Sequence, residues 1–251
     1  MMPENADLPV IFLAFANEQQ DQVRYLRGLA KEQTLIKEAL EPAVDAGLCE
    51  LVVESNASVK SILNTFQKKR YRDRIALFHY GGHADGYQLL LESLEGENVV
   101  AHGEGLVSFF SKQKGLQLIF LNGCSTQQQA MDLIKAGIPA VVGTSSAIND
   151  DIATGLAVRF YSGIGQGNAI DRAWKESEDE VRMTTGTANT RSFYFEALET
   201  VPDRFPWNIY PKSRSPTPSP NRPSGFCGDM NISRPACFLA DPITSMPCIN
   251  K

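Results

Sequence analysis

Five short apolar runs, separated by helical stripes, constrain this chain more than any other feature. They are Leu8–Ala16 (interrupted only by Pro9), Leu51–Val53, Ile75–Tyr80, Leu118–Leu121 and Pro139–Gly143. Apart from His79, each is apolar at consecutive rather than alternate positions, the pattern of a strand covered on both faces. Between them the period changes to three and four. Val23, Leu26, Leu29, Ala30, Leu35, Ala39 and Leu40 predict a helix over about 21–46, which Gly28 and Pro42 make imperfect or split and Gly47 ends. Ser58 offers a cap to a helix carrying Val59, Ile62, Leu63 and Phe66 to about Arg70. Further stripes lie at Leu106–Phe110, 127–135, Ile152–Ile164 and Ile170–Val181. Strand and helix in alternation predict an α/β fold with a parallel, doubly covered sheet. Asp85–Glu92 reads as a hairpin arm, and 95–103 as loop or edge structure.

The pattern stops near residue 200. Ten of the fourteen prolines fall in 201–251, and Ser213–Ser224 has the composition of an extended linker. The expectation is one domain over 5–200 followed by a Pro/Ser-rich, flexible tail at 201–251, with Phe205–Pro211 as a packed exit from the domain. A formal charge of −5 is the wrong sign for a nucleic-acid partner. The apolar runs are too short to span a membrane, and the first residues show no basic-then-apolar leader. Five widely spaced cysteines form neither a disulfide framework nor a metal-ligand pattern, so a reducing cytoplasm is expected and no metal.

Two of the apolar runs end alike. Ile75-Ala-Leu-Phe-His-Tyr-Gly-Gly breaks at glycines to deliver His83, and Leu118-Ile-Phe-Leu-Asn-Gly delivers Cys124. The carboxyl ends of parallel strands are where open α/β sheets bind ligands. If these two strands are neighbours, a thiol and an imidazole emerge side by side. Only the thiolate attacks a carbonyl carbon well, and an adjacent imidazole stabilises it and can then protonate a leaving amine. The glycine turns expose backbone N–H groups of Cys124, Ala84 and Gly82 as oxyanion donors. Taken alone, each residue has a plainer reading: a cysteine closing an apolar strand is more often a small buried hydrophobe. His79 lies inside its strand and reads as buried and structural, His102 as solvated, and Asp85 as a loop residue.

With that pair in view, the chain resembles the CHAT-domain peptidases, relatives of caspases and separase, over about Leu8–Val181. The resemblance is carried by His79-Tyr-Gly-Gly-His83, Leu121-Asn-Gly-Cys-Ser125, Ala136-Gly-Ile-Pro-Ala-Val-Val-Gly-Thr144, and Phe160-Tyr-Ser-Gly-Ile-Gly-Gln-Gly167 leading into Ala173-Trp174. It implies a caspase-like, mostly parallel sheet flanked by helices, with a dyad of His83 and Cys124, a protein substrate and no cofactor. It also implies an activating sensor or effector partner in a bacterial signalling or defence setting. Ala84 stands where such chains usually have glycine, and Ser145–Ile148 lacks their tryptophan. In separase-like relatives an acid near Asp150 and Asp151 helps to hold a basic side chain before the cut, so Arg or Lys is the expected preference, chiefly through Asp150. Acids opening a helix also favour its dipole, with no substrate involved. The rival from another class is a peptidase fold used as an interaction or signalling module with weak or no turnover, which Ala84 favours. A nucleotide-binding domain ranks lower, since neither glycine fingerprint for phosphate occurs in the right context.

Overall fold

The computed structural model describes residues 8–17, 25–85, 87–92, 98–144, 150–194 and 207–209. Five strands run parallel: β1 (Val10–Ala16), β2 (Glu50–Glu54), β3 (Ile75–Gly82), β6 (Leu118–Asn122) and β7 (Ala140–Thr144). The order across the sheet is β2-β1-β3-β6-β7, closed by a short antiparallel β8 (Trp207–Ile209) against β7. This last strand lies within 201–251, so the sheet takes in residues beyond 200. The rest of that segment, with Cys227, Cys237 and Cys248, lies outside the described residues. A separate antiparallel pair, β4 (Gln88–Glu92) and β5 (Asn98–His102), forms the hairpin beside the end of β3.

Side-chain alternation on the strands divides the core in two. Ile11, Leu13, Phe15, Leu118 and Phe120 face α1 (Leu29–Asp45), α5 (Asp150–Gly165) and α6 (Ile170–Tyr194). Phe12, Phe78, Tyr80, Ile119 and Leu121 face α2 (Val59–Gln67), α3 (Gly103–Phe110) and α4 (Gln127–Lys135). Every residue of β1 and β6 is buried, as runs without polar alternation require. The mostly parallel, helix-flanked sheet expected from the sequence is the one observed. Among the described residues no helix is long and apolar enough to cross a membrane.

Two local expectations change. The first helix begins at Leu29, not near 21: Tyr25 and Leu26 are non-helical, and Gly28 is the N-cap. Nor does Pro42 split it. It lies in the closing turns, where it forfeits a single backbone bond, and the helix runs on to Asp45. The Ser58 cap is present as a reciprocal box, Ser58 Oγ accepting from Ser61 N–H and Ser61 Oγ from Ser58 N–H.

Because β1 pairs with β2 on one side and β3 on the other, the chain reverses its direction of travel across the sheet there. The crevice above that switch point is where an open sheet offers a site.

Candidate active site

β3 and β6 are hydrogen-bonded neighbours in register from Leu77 opposite Leu118 to Gly81 opposite Asn122. Counting on in step, Gly82 faces Gly123, and His83 and Cys124 leave their strands at the same level. Packing confirms the approach. A Cβ placed on Gly123 would lie 2.7 Å from Ala84 Cβ and 2.9 Å from the Gly82 carbonyl oxygen, so only glycine lets the two turns close. Gly82 has φ near 157°, a conformation L side chains rarely adopt, with the Tyr80 hydroxyl filling the space its side chain would need.

Each turn is then pinned by buried polar groups. After Cys124 the chain passes through Ser125 at φ 55°. Thr126 and Thr144, both almost fully buried, hold this bend together. The Thr144 hydroxyl donates to the Gly123 carbonyl, and Thr144 N–H donates to Thr126 Oγ1 at 2.9 Å. On the histidine side the Tyr80 hydroxyl lies 2.6 Å from the carbonyl oxygens of both His83 and Leu90. Burial pushes the Tyr80 phenol far above its ordinary range, so it keeps the proton it donates. Leu90 N–H also donates to the His83 carbonyl, and Asp85 N–H to that of Gln88. These bonds bracket Ala84 and Leu89, which makes them a non-hydrogen-bonded pair and leaves the Ala84 N–H out of the ladder. Ala84 is also absent from the positive-φ residues, so its backbone needs nothing that alanine resists. Asp85 accepts from Tyr87 N–H and closes its own turn, as a loop residue would.

His83, half-buried, and Cys124, exposed and in no disulfide, line one groove that opens to solvent. Asp150, at the start of α5, lies on the same lining; Asp151 is exposed and does not. Gly82 lines the groove too, as the last residue of β3 and the partner of Ala16. Ala84 sits behind, against Gly123. His79 is fully buried, as expected of a strand-interior histidine, and His102 is exposed. Among the described residues no group of three or more His, Cys, Asp or Glu converges on a metal site.

Reading the sequence missed what lies beneath the pair. Glu32, on the buried face of α1, is only 5% exposed yet lines the groove. Its Oε1 accepts from Asn122 Nδ2 at 2.9 Å and lies 3.3 Å from His79 Nε2. That second contact is within ion-pairing distance but off line, so Nε2 has no hydrogen-bond partner. The Tyr161 hydroxyl lies 3.0 Å from Nδ1 and shares a hydrogen bond with it whose direction follows the imidazole tautomer. Burial, helped by the Glu32 charge, holds the Tyr161 phenol well above its ordinary range. Asn17, just past β1, braces the entry to α1 with a reciprocal amide bracket, Nδ2 to the Leu26 carbonyl at 3.0 Å and Leu26 N–H to Oδ1 at 2.8 Å.

A family model described as the CHAT domain matches residues 3–213. No curated protein matches the chain. Among solved structures, a secreted C11 cysteine protease from Bacteroides thetaiotaomicron, in complex with an irreversible peptide inhibitor, superposes with a TM-score of 0.50 at 12% identity. The match covers 71% of this chain and 60% of that protease, so the chain spans less than two thirds of its length. The Drosophila initiator caspase Dronc gives 0.48 at 11% identity, covering 70% of this chain and 74% of that one. Pro-sf-caspase-1 gives 0.49 at 14%, covering 82% and 92%. At these identities the likeness is one of fold.

Proposed function

The chain belongs to the CHAT-domain family, and from that premise we propose that it is a cysteine peptidase with His83 and Cys124 as its dyad. One observation carries the reading: a histidine and a cysteine leave adjacent parallel strands in register and line the same groove. The Cys124 thiol passes its proton to the His83 imidazole, and the thiolate adds to a peptide carbonyl carbon. Negative charge moves to the carbonyl oxygen, where the N–H groups of Cys124, Ala84 and Gly82 are the candidate donors. Gly82 and Cys124 lie on the groove lining, and Ala84 is a candidate because the β4 ladder leaves its N–H unused. When the C–N bond breaks, the imidazolium gives its proton to the departing amine. Water, deprotonated by His83, then releases the acyl group from Cys124.

Asp150 on the groove favours a basic side chain before the cut, and a protein is the natural substrate for an open groove at a sheet edge. Activation by a sensor or effector protein belongs to the same proposal, as does a cytoplasmic setting. One domain over 5–200 followed by a Pro/Ser-rich tail at 201–251 belongs to the same proposal, with β8 returning to the sheet from beyond residue 200. Ala84 favours a peptidase fold without turnover only if that position needs a glycine conformation, and its ordinary backbone supports the peptidase reading instead.

The test is a panel of fluorogenic peptides with Arg, Lys, Leu or Met before the scissile bond, given to the wild type, Cys124→Ala and His83→Ala. Cleavage by the wild type should fall at least about a thousandfold in either variant. Cleavage that survives in Cys124→Ala assigns the activity elsewhere and refutes the dyad.

A further inference from the structure

Away from the groove, cations gather at the opposite end of the same two strands. Lys68-Lys-Arg-Tyr-Arg-Asp-Arg74 follows α2 and leads into β3, and Ser111-Lys-Gln-Lys-Gly-Leu-Gln117 follows α3 and leads into β6. Together they carry seven cations against the single acid Asp73, in a chain whose total charge is −5. The fold brings the two segments together. Phe66, near the end of α2, packs on Phe109 and Phe110 at the end of α3, with ring centroids 5.3 and 5.6 Å apart. A Cβ on Gly115 would overlap the Asp73 carbonyl oxygen, so the two turns touch.

Like charges this close repel, and most of these have no acid to offset the repulsion. Among the described residues Lys68, Lys69, Arg72, Lys112 and Lys114, all exposed, form no ion pair. Several are nonetheless held in place. Arg72 Nη2 donates to the Gln67 carbonyl at 3.2 Å, and Lys112 Nζ to Ser108 Oγ at 3.3 Å. Side chains ordered beforehand lose less freedom when a partner binds.

The chemistry of the surface favours carboxylates. Arg70 and Arg74 already clasp one from this chain, their Nη2 atoms lying 2.6 and 3.3 Å from the two oxygens of Glu50. Tyr71 packs against the core and carries Lys68 and Arg70 over its ring at 5.9 and 5.5 Å, so the ring is not free to stack on a nucleic-acid base. None of the large apolar side chains exposed among the described residues lies in either segment, which leaves no anchor for a lipid surface.

We propose that the cationic surface formed by Lys68–Arg74 and Lys112–Lys114 docks an acidic segment of a partner protein, one rich in Asp and Glu. β3 runs eight residues, about 26 Å, from this surface to the glycines before His83. A docked partner therefore leaves the Cys124 groove open, and the surface stands whether or not the groove cleaves peptides.

Fluorescence anisotropy with a short fluorescein-labelled poly-glutamate tests this on the full chain. The wild type should bind it, more weakly as salt rises, and should not bind the matched poly-glutamine. The variant Lys68→Gln/Lys69→Gln/Lys112→Gln/Lys114→Gln removes only exposed, unpaired charges, so the fold should hold. Its binding should weaken about tenfold or more, the combined scale of four exposed ion pairs. Lys112→Gln/Lys114→Gln alone should weaken binding about threefold, because both segments contribute. A control, Lys31→Gln/Lys37→Gln/Lys60→Gln/Lys175→Gln, changes the net charge equally at exposed positions elsewhere and should bind as the wild type does. Saturating peptide should leave iodoacetamide labelling of Cys124 unchanged. Absence of poly-glutamate binding, an equal loss in the control, or slowed labelling of Cys124 overturns the proposal. So does tighter binding of oligothymidylate or of phosphatidylserine vesicles, which would assign the surface to a nucleic acid or a membrane.

Discussion

Gly123→Ala should separate the two turns that present the dyad, and its cost can be worked from contacts. The new Cβ would meet Ala84 Cβ at 2.7 Å and the Gly82 carbonyl oxygen at 2.9 Å, both well inside van der Waals contact. Neither is the free end of a flexible side chain, so strand ends must move. Overpacking of this kind costs about 1–3 kcal/mol, and with two rigid contacts the upper part of that range applies. Ala84→Gly alone should cost no more than about 1 kcal/mol, chiefly through the added freedom of the unfolded chain. Additive behaviour would make the double variant the worst of the three. Geometry says otherwise: Ala84→Gly removes the shorter contact, so the double variant should recover about 1 kcal/mol relative to the sum, a coupling expected only of residues that touch. Urea midpoints of the four proteins close the cycle. If Gly123→Ala is neutral, or the costs add within about 0.5 kcal/mol, the two turns are not packed as described.

Thr144→Val should lower stability by about 1–2 kcal/mol, because it leaves the half-buried Gly123 carbonyl without its donor. Thermal melts should show a drop of about 2–8 °C, with Thr144→Ser much closer to wild type; a Val variant that melts like wild type would remove Thr144 from the bracket. Glu178 gives a pH signature. Burial first of all holds its carboxyl above the usual range, so the folded state keeps this proton more tightly than the unfolded state does. Stability from the protonated form is therefore present at low pH and is lost as pH rises from the unfolded value through the folded one. Glu178→Gln should melt about 1–2 °C higher at neutral pH, a small gain because the group is only half-buried, and should match wild type near pH 3. An equal gain at both pH values would refute the titration account.

How far these features can be read from the sequence depends on the residues that carry them. β1, β3 and β6 are legible because a strand covered on both faces must be apolar at consecutive positions. His83 and Cys124 stand out because each follows a glycine that closes such a run. Glu32 is harder, yet its signal is present: Leu29, Ile36, Leu40 and Ala43 mark the buried stripe of α1, and Glu32 falls on that stripe, not opposite it. A lone acid on an apolar helical face is what a buried charged site looks like in one dimension. Thr126 and Thr144 gave no such warning, since a threonine after a strand is ordinary and their meeting depends on β6 and β7 being neighbours. β8 is legible only as a packed exit over Phe205–Pro211 and not as a strand, because three residues at an antiparallel edge need no apolar run.

The central claim is that the His83 imidazole and the Cys124 thiol face each other across adjacent strand ends. Dibromoacetone, a three-carbon reagent that alkylates a thiol and then a second nucleophile within its reach, tests this most directly. Peptide mapping of the treated protein should recover one cross-link, joining the peptide containing Cys124 to that containing His83, and His83→Ala should abolish it while Cys124 is still singly alkylated. A Cys124 adduct that never bridges to His83, or that bridges elsewhere, would contradict the account.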